Sequence, residues 1–172
     1  MQVTIRPATL EDCGTVSDIL LEAATWLAQR GMPMWRESEL VVSRIRDDVA
    51  VGLFFLAVAA AESVGTIKFQ LSDPIFWPDV PDDAAYVHRL AVRRQFAGGE
   101  LSSALLNWAA ERAAASGRRF LRLDCEAARL SLRAVYERFG FQHHSDRQVG
   151  SYFVARYEYA IQLQLLDVSA SS

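Results

Sequence analysis

Between Tyr86 and Leu106 the chain reads YVHRLAVRRQFAGGELSSALL: an apolar strand, a short basic turn with two adjacent glycines, and the start of an amphipathic helix. A strand, a small-residue turn and a helix N-terminus together make a site for an anionic, phosphate-bearing ligand. The first N–H groups of such a helix lack intrahelical partners, and the helix dipole favours negative charge beside them. Glycine allows positive φ and close approach of a ligand to the backbone. Glu100 runs against this chemistry. At about 5 Å from a phosphate its carboxylate would cost roughly 1–3 kcal/mol per charge pair. A left-handed backbone there would add about 1–2 kcal/mol. Turned to solvent, the same carboxylate would instead cap the positive helix end.

Metal chemistry has little support. Cys13 and Cys125 form no CxxC or Cys/His cluster, and the adjacent His143 and His144 are read as lacking a carboxylate or cysteine at ligand spacing. No metal site is expected.

The elements that must position these residues follow from the rest of the chain. Its 172 residues suit one domain, and 51% hydrophobic with 23% charged residues reads as a soluble globular protein. A net charge of −3 argues against a general nucleic-acid binder. The longest apolar run, Val49 to Ala61, is broken by Gly52 and too short to span a bilayer. The N-terminus carries no apolar signal core, so a cytoplasmic location with reduced thiols is expected.

Val3 to Arg6 alternates as a strand, and Thr9 with Asp12 forms a capping pair before a helix to about Ala28. Val16, Ile19, Leu20, Ala23, Ala24 and Leu27 give that helix one buried stripe. Glu37 to Asp48 reads as a second helix, and Leu53–Ala60 with Val64–Leu71 as a hairpin. The proline-rich Ser72–Asp83 segment must be a loop. Strand Ala84–Val92, helix Leu101–Ala115, strand Phe120–Cys125, helix Leu130–Phe139 and strands Phe141–His144 and Ser151–Leu163 complete the order. The expected fold is α/β: a mixed, mostly antiparallel twisted sheet flanked by helices, with a central β-α-β crossover. One domain over 1–165 and a flexible tail over 166–172 are expected.

Three segments, HRLAVRRQFAGGELSSALLNWA, RLDCEAARLSLRAVYERFGF and the opening IRPATLED, carry a resemblance at family level: the chain resembles the GNAT superfamily of N-acetyltransferases. HRLAVRRQFAGGELSSALLNWA, His88 to Ala109, is similar to its acyl-CoA motif. RLDCEAARLSLRAVYERFGF, Arg122 to Phe141, is similar to the strand and helix that follow, and the opening IRPATLED, Ile5 to Asp12, is also typical. The resemblance implies acetyl-CoA as cosubstrate, its pyrophosphate held by backbone N–H groups of Ala97, Gly98, Gly99, Glu100, Leu101 and Ser102. Here Ala97 replaces a basic residue or Gln, Glu100 the first key glycine, and Ser102 the second small position. Arg93 and Arg94 are near enough in sequence to offset Glu100.

The resemblance further implies that Leu90, Ala91 and Val92 line the pantetheine arm through their backbone, and that Tyr136 protonates the departing thiolate. A phenol can do so when held at hydrogen-bond range. Arg129 stands where many relatives carry an arm-contacting Asn, and could instead reach a phosphate. His88 is the first choice for the base that takes the ammonium proton, with Glu22, Glu37, Asp124 and Glu126 as alternatives. Trp26, Trp35, Trp77 and Asp124, with Met34, Phe76 and the neighbouring aspartates, would frame an acceptor pocket for a cationic amine. The other reading of these aromatics is core closure or a dimer interface. Trp108 reads as core. The implied function is transfer of acetyl from acetyl-CoA to a primary amine of a small molecule or peptide, by direct attack in a ternary complex. The alternative is a non-catalytic acyl-CoA sensor or interaction protein with a degenerate loop. No nucleic-acid or membrane partner is expected, and a homodimer is left open.

Overall fold

Apolar stripes at helical and strand spacing leave this chain one economical arrangement, a sheet covered by helices. The computed structural model describes residues 1–162; the expected tail over 166–172 lies outside them. Seven strands build a mostly antiparallel open sheet flanked by helices. The elements are β1 (Thr4–Pro7), α1 (Cys13–Ala28), α2 (Glu37–Leu40), α3 (Val42–Ala50), β2 (Phe54–Ala59), β3 (Glu62–Gln70), β4 (Ala84–Val92), α4 (Leu101–Ala115), β5 (Phe120–Glu126), α5 (Leu130–Phe139), β6 (Gln142–Val149) and β7 (Tyr152–Ala160). No helix among the described residues is long and apolar enough to cross a membrane.

The chain divides into two compact units. One holds Met1–Leu71 with Tyr86–Ala109; the other holds Ser72–Ala85 and the described residues from Ala110 to Gln162. In the first unit, β1, β2, β3 and β4 pair antiparallel in succession. The α1 stripe does what its spacing predicts: Val16, Ile19, Leu20 and Ala24 are buried with Leu56 and Ala91. Each large side chain of that set contributes about 1.5–3 kcal/mol by leaving water. The Thr9–Asp12 cap forms, the Asp12 carboxylate accepting the Thr9 backbone N–H at 2.8 Å. Trp108 on α4 is half-buried, its ring 4.5 Å from Phe55 and 5.9 Å from Phe69.

The expected helix over Glu37–Asp48 is instead two helices. Val41 between them is extended, with ψ 150°. Leu40 is fully buried, and its carbonyl accepts the Ser17 hydroxyl at 2.6 Å. That tertiary contact satisfies a helix-ending carbonyl and turns the chain, which periodicity alone could not reveal.

In the second unit the strand order is β5, β7, β6, all antiparallel. Strand β6 runs to Val149, well beyond the expected His144. Its residues are polar and mostly exposed, so only pairing with β7 makes this stretch a strand. Ser72–Asp83 is the expected loop, but it is pinned from within. Trp77, 3% exposed, lies 5.3 Å from the Arg122 guanidinium and 4.7 Å from that of Arg156. Arg156 reaches Asp79 at 2.7 Å and the Phe76 carbonyl at 3.1 Å.

Candidate functional site

The strand leading into the phosphate-type turn is irregular where the chemistry would be. Lys68 pairs with His88 and Thr66 with Ala91, so Arg89 and Leu90 together face Ile67 alone. This is a β-bulge, which takes backbone groups out of the ladder and re-aims the side chains beside it. Arg89 carries the strain, with φ +51° on a residue that has a Cβ. His88 sits immediately before the bulge, and Leu90, Ala91 and Val92 form it and its far side.

After Val92 the chain makes a turn of 3-10 helix over Arg94–Phe96 and enters α4. Gly98, at φ +79°, takes the left-handed step. The first intrahelical bond runs from the Ala104 N–H to the Glu100 carbonyl at 2.9 Å. The N–H groups of Leu101, Ser102 and Ser103 therefore precede the helical ladder. Glu100 is exposed and has no positive φ, so the backbone cost considered above does not arise; it occupies the N-cap position. These donors and the small-residue turn fit a phosphate-bearing group.

The two glycines are not equivalent. A Cβ on Gly98 would meet open space, so Gly98→Ala is penalised by conformation alone; a Cβ on Gly99 would meet only the Phe96 carbonyl, at an ordinary 3.5 Å. Gly98→Ala is expected to cost about 1 kcal/mol of stability and Gly99→Ala less than half of that, read by urea unfolding. Equal costs would show that the left-handed turn is not required.

The turn is held by residues whose part in it the sequence does not reveal. Glu22 on α1 accepts the Arg93 guanidinium at 2.9 Å and the Arg94 backbone N–H at 2.7 Å. The Arg94 N–H, with help from Arg93, holds the Glu22 carboxyl below its ordinary range. That makes Glu22 a clamp and a poor proton acceptor. Arg93 also donates to the Ser63 carbonyl at 3.1 Å, and the Arg94 guanidinium lies 3.5 Å over Trp26. Both arginines are thus engaged away from the role of offsetting Glu100. Trp26, also covered by Arg30 at 3.8 Å, braces this turn.

Trp35 stands elsewhere in the same unit. It has φ +56°, and Arg89 lies 5.1 Å over its ring. With Ala24, Pro33, Met34 and Glu37 it lines a cleft of about 160 Å³. That is below the usual size of a pocket for a drug-sized molecule.

In the second unit, α5 presents Tyr136. It is the one buried residue of that helix, 8% exposed, packed on Phe141 and Tyr157 at ring separations of 6.0 and 6.3 Å. Burial pushes its phenol well above the ordinary value, and the nearby Cys125 and Asp124 add to this. Cys125, pushed up to about 12 by burial and then by Asp124, stays a thiol. Asp124 on β5 is half-buried and pairs in register with Arg156. Arg129, just before α5, bonds Glu126 at 3.2 Å, which ties up both the cofactor-arm candidate and one candidate base.

Trp77 does not wall an open cleft, because the two buried arginines occupy its surroundings. The aspartates near it are likewise paired: Asp79 with Arg156, Asp82 with Arg118 at 3.0 Å, and Asp83 with Arg122 at 3.2 Å. Contrary to the expectation for His143, a carboxylate does lie beside it: Asp146, at 2.8 Å.

Comparison with known proteins bears on this geometry. The model of the acetyltransferase (GNAT) family matches residues 20–141. The chain is 30% identical over 146 residues to an uncharacterized N-acetyltransferase, YesJ, of Bacillus subtilis (strain 168), covering 79% of each chain. It is also similar to the solved structure of a GNAT-family acetyltransferase from Listeria monocytogenes 4b F2365. That match has TM-score 0.75 and 25% identity, covering 91% of this chain and 94% of the other. The PaiA N-acetyltransferase of Thermoplasma acidophilum, solved in complex with coenzyme A, shares the fold. Its TM-score is 0.73 at 18% identity, over 92% of this chain and 100% of that one.

Proposed function

Since this chain belongs to the GNAT family of acetyltransferases, we propose that it moves an acetyl group from acetyl-CoA to a primary amine of a small molecule or peptide. The observation that carries the reading is the bulged β4 running into a left-handed Gly98 turn and the free N–H groups at the start of α4. Those donors would take the pyrophosphate, with Gly98, Gly99, Glu100, Leu101 and Ser102 supplying backbone. Backbone groups of Leu90, Ala91 and Val92 would run along the pantetheine arm, and a donor freed by the bulge would polarise the thioester carbonyl.

The amine, once neutral, attacks the carbonyl carbon; the C–N bond forms as the C–S bond breaks. His88 is the candidate to take the ammonium proton, and Tyr136 the candidate to protonate the thiolate. The Tyr136 phenol, raised by burial, is protonated throughout the physiological range, as an ordinary phenol also is. Trp35 and its cleft are the best remaining candidates for the acceptor side. Arg129, engaged with Glu126, would reach a phosphate only by exchanging partners.

Calorimetry with acetyl-CoA and CoA tests the cofactor half. Thiol release with a panel of spermidine, lysine, kanamycin and a free peptide N-terminus tests the rest. No heat at millimolar CoA would sink the enzyme reading. The second reading, an acyl-CoA sensor, draws on Glu100 and on the engagement of Arg93, Arg94 and Arg129 elsewhere. Binding without thiol release across the panel would favour it.

Exposure of Glu100 predicts a mild effect of its charge. At a separation of about 6 Å in water-like dielectric, repulsion is about 0.7 kcal/mol, so Glu100→Gln is expected to tighten CoA binding roughly threefold, and less at high salt. Unchanged affinity would place the carboxylate away from the phosphates.

A further inference from the structure

Helix α5 has ten residues and buries only Tyr136, while Leu130 and Val135 are exposed. A helix this short has little stability of its own, and one buried side chain fixes its rotation weakly. Its polar contacts are more exacting. Arg133 and Glu137, four residues apart on one face, both reach the Tyr157 hydroxyl on β7. The Arg133 Nε donates to that hydroxyl at 2.8 Å, and the hydroxyl donates to Glu137 Oε1 at 2.7 Å. Tyr157 is 0% exposed, and its ring lies 6.3 Å from that of Tyr136. Arg133 Nη1 also donates to the Ala127 carbonyl at 2.9 Å, and the Ala127 N–H donates to the Phe153 carbonyl at 2.9 Å. Helix and strand are thus joined through one hydroxyl that both accepts and donates, and Arg133 ties the preceding turn to the same helix.

We propose that Arg133, Tyr157 and Glu137 form a positioning clamp, which fixes the rotation of α5 and thereby aims the Tyr136 hydroxyl. The proposal rests on the reading of Tyr136 as the proton donor to the thiolate. Rotating α5 by about 10° would move a group about 9 Å from its axis by about 1.5 Å, beyond what a productive hydrogen bond tolerates. A hydroxyl held on two sides resists that rotation in a way that apolar packing does not, because hydrogen bonds are directional.

The test needs no acceptor. Free CoA is bound to the protein, and its thiol is titrated by the ultraviolet absorbance of the thiolate, with the unliganded protein as blank. Four proteins are compared: wild type, Tyr136→Phe, Tyr157→Phe and the double variant. Tyr136→Phe should lower the acidity constant of the bound thiol roughly tenfold or more, the loss of a hydrogen bond to a charged group. Tyr157→Phe should lower it about three- to tenfold in the wild-type background and leave it unchanged in the Tyr136→Phe background.

Glu137→Ala, at an exposed residue whose carboxylate reaches the Tyr157 hydroxyl, guards against misfolding of the buried variant. It should lower the constant in the same direction, and Glu137→Gln, which retains an acceptor oxygen, should recover most of the loss. A Tyr157→Phe protein that binds CoA and titrates like wild type would overturn the clamp. So would equal shifts in both backgrounds, which would show that Tyr157 acts elsewhere. Failure of the parent reading is seen separately, as absent CoA binding or an unshifted thiol in Tyr136→Phe alone, and the clamp falls with it.

Discussion

Tyr136→Phe is expected to lower kcat by about 10²-fold while the Kd for acetyl-CoA changes by less than about threefold. The variant keeps the ring packed between Phe141 and Tyr157 and removes only the hydroxyl, so folding should survive. Burial raises the phenol, so the hydroxyl is neutral in the resting protein and a weaker acid toward a thiolate than an ordinary phenol. The sign matters for the pH profile. A raised phenol stays neutral below its unfolded value near 10, so no limb of the rate profile in the neutral range should belong to Tyr136. The favourable burial of the neutral phenol persists below about pH 10 and is lost only as the pH rises through the folded value. Steady-state thiol release gives kcat and calorimetry gives Kd. Equal loss in both would make Tyr136 a packing residue, and an unchanged kcat would remove it from the chemistry.

The second large effect concerns stability. Arg122→Ala is expected to cost about 3–5 kcal/mol, the usual result of removing one partner from a buried ion pair. Arg122 is 3% exposed and donates to Glu158 at 2.8 Å and to the Pro81 carbonyl at 3.2 Å, with Asp83 also at 3.2 Å. Its guanidinium also lies 5.3 Å from Trp77 and 5.2 Å from Phe120. Truncation would leave two half-buried carboxylates and a carbonyl without their donor and release the inner side of the Ser72–Asp83 loop. Chemical denaturation measures the cost, with a fall in melting temperature of roughly 10 °C beside it. A cost below about 1 kcal/mol would mean that solvent replaces the guanidinium readily and that Trp77 holds the loop without it.

How far each feature was legible depended on whether its cause was local. The α1 stripe was legible because burial there follows a helical period, and Leu101–Ala115 was read to the residue. The break at Val41 was not, since its cause is Ser17 reaching the Leu40 carbonyl from another helix. The length of β6 was hidden for the same reason: its polar residues are a strand only because β7 lies alongside. At the candidate site, the Gly98 turn could be read from residue type. Glu22, a candidate base from its type, is a clamp on the turn from its neighbours. Trp77, an acceptor-pocket candidate from its loop, is enclosed by arginines distant in sequence.

The sequence by itself determined the α/β order of elements, the family resemblance and the segment whose residue types suit a phosphate-bearing ligand. These rest on periodicity, glycine and the polarity of helix ends, which are properties of neighbouring residues. The tertiary structure alone decided the bulge at Arg89, the engagement of Arg93 and Arg94, the solvent-facing Glu100 and the buried, neutral phenol of Tyr136. Each depends on groups far apart along the chain meeting where water is excluded, and there a charge or hydroxyl is governed by its partners in space.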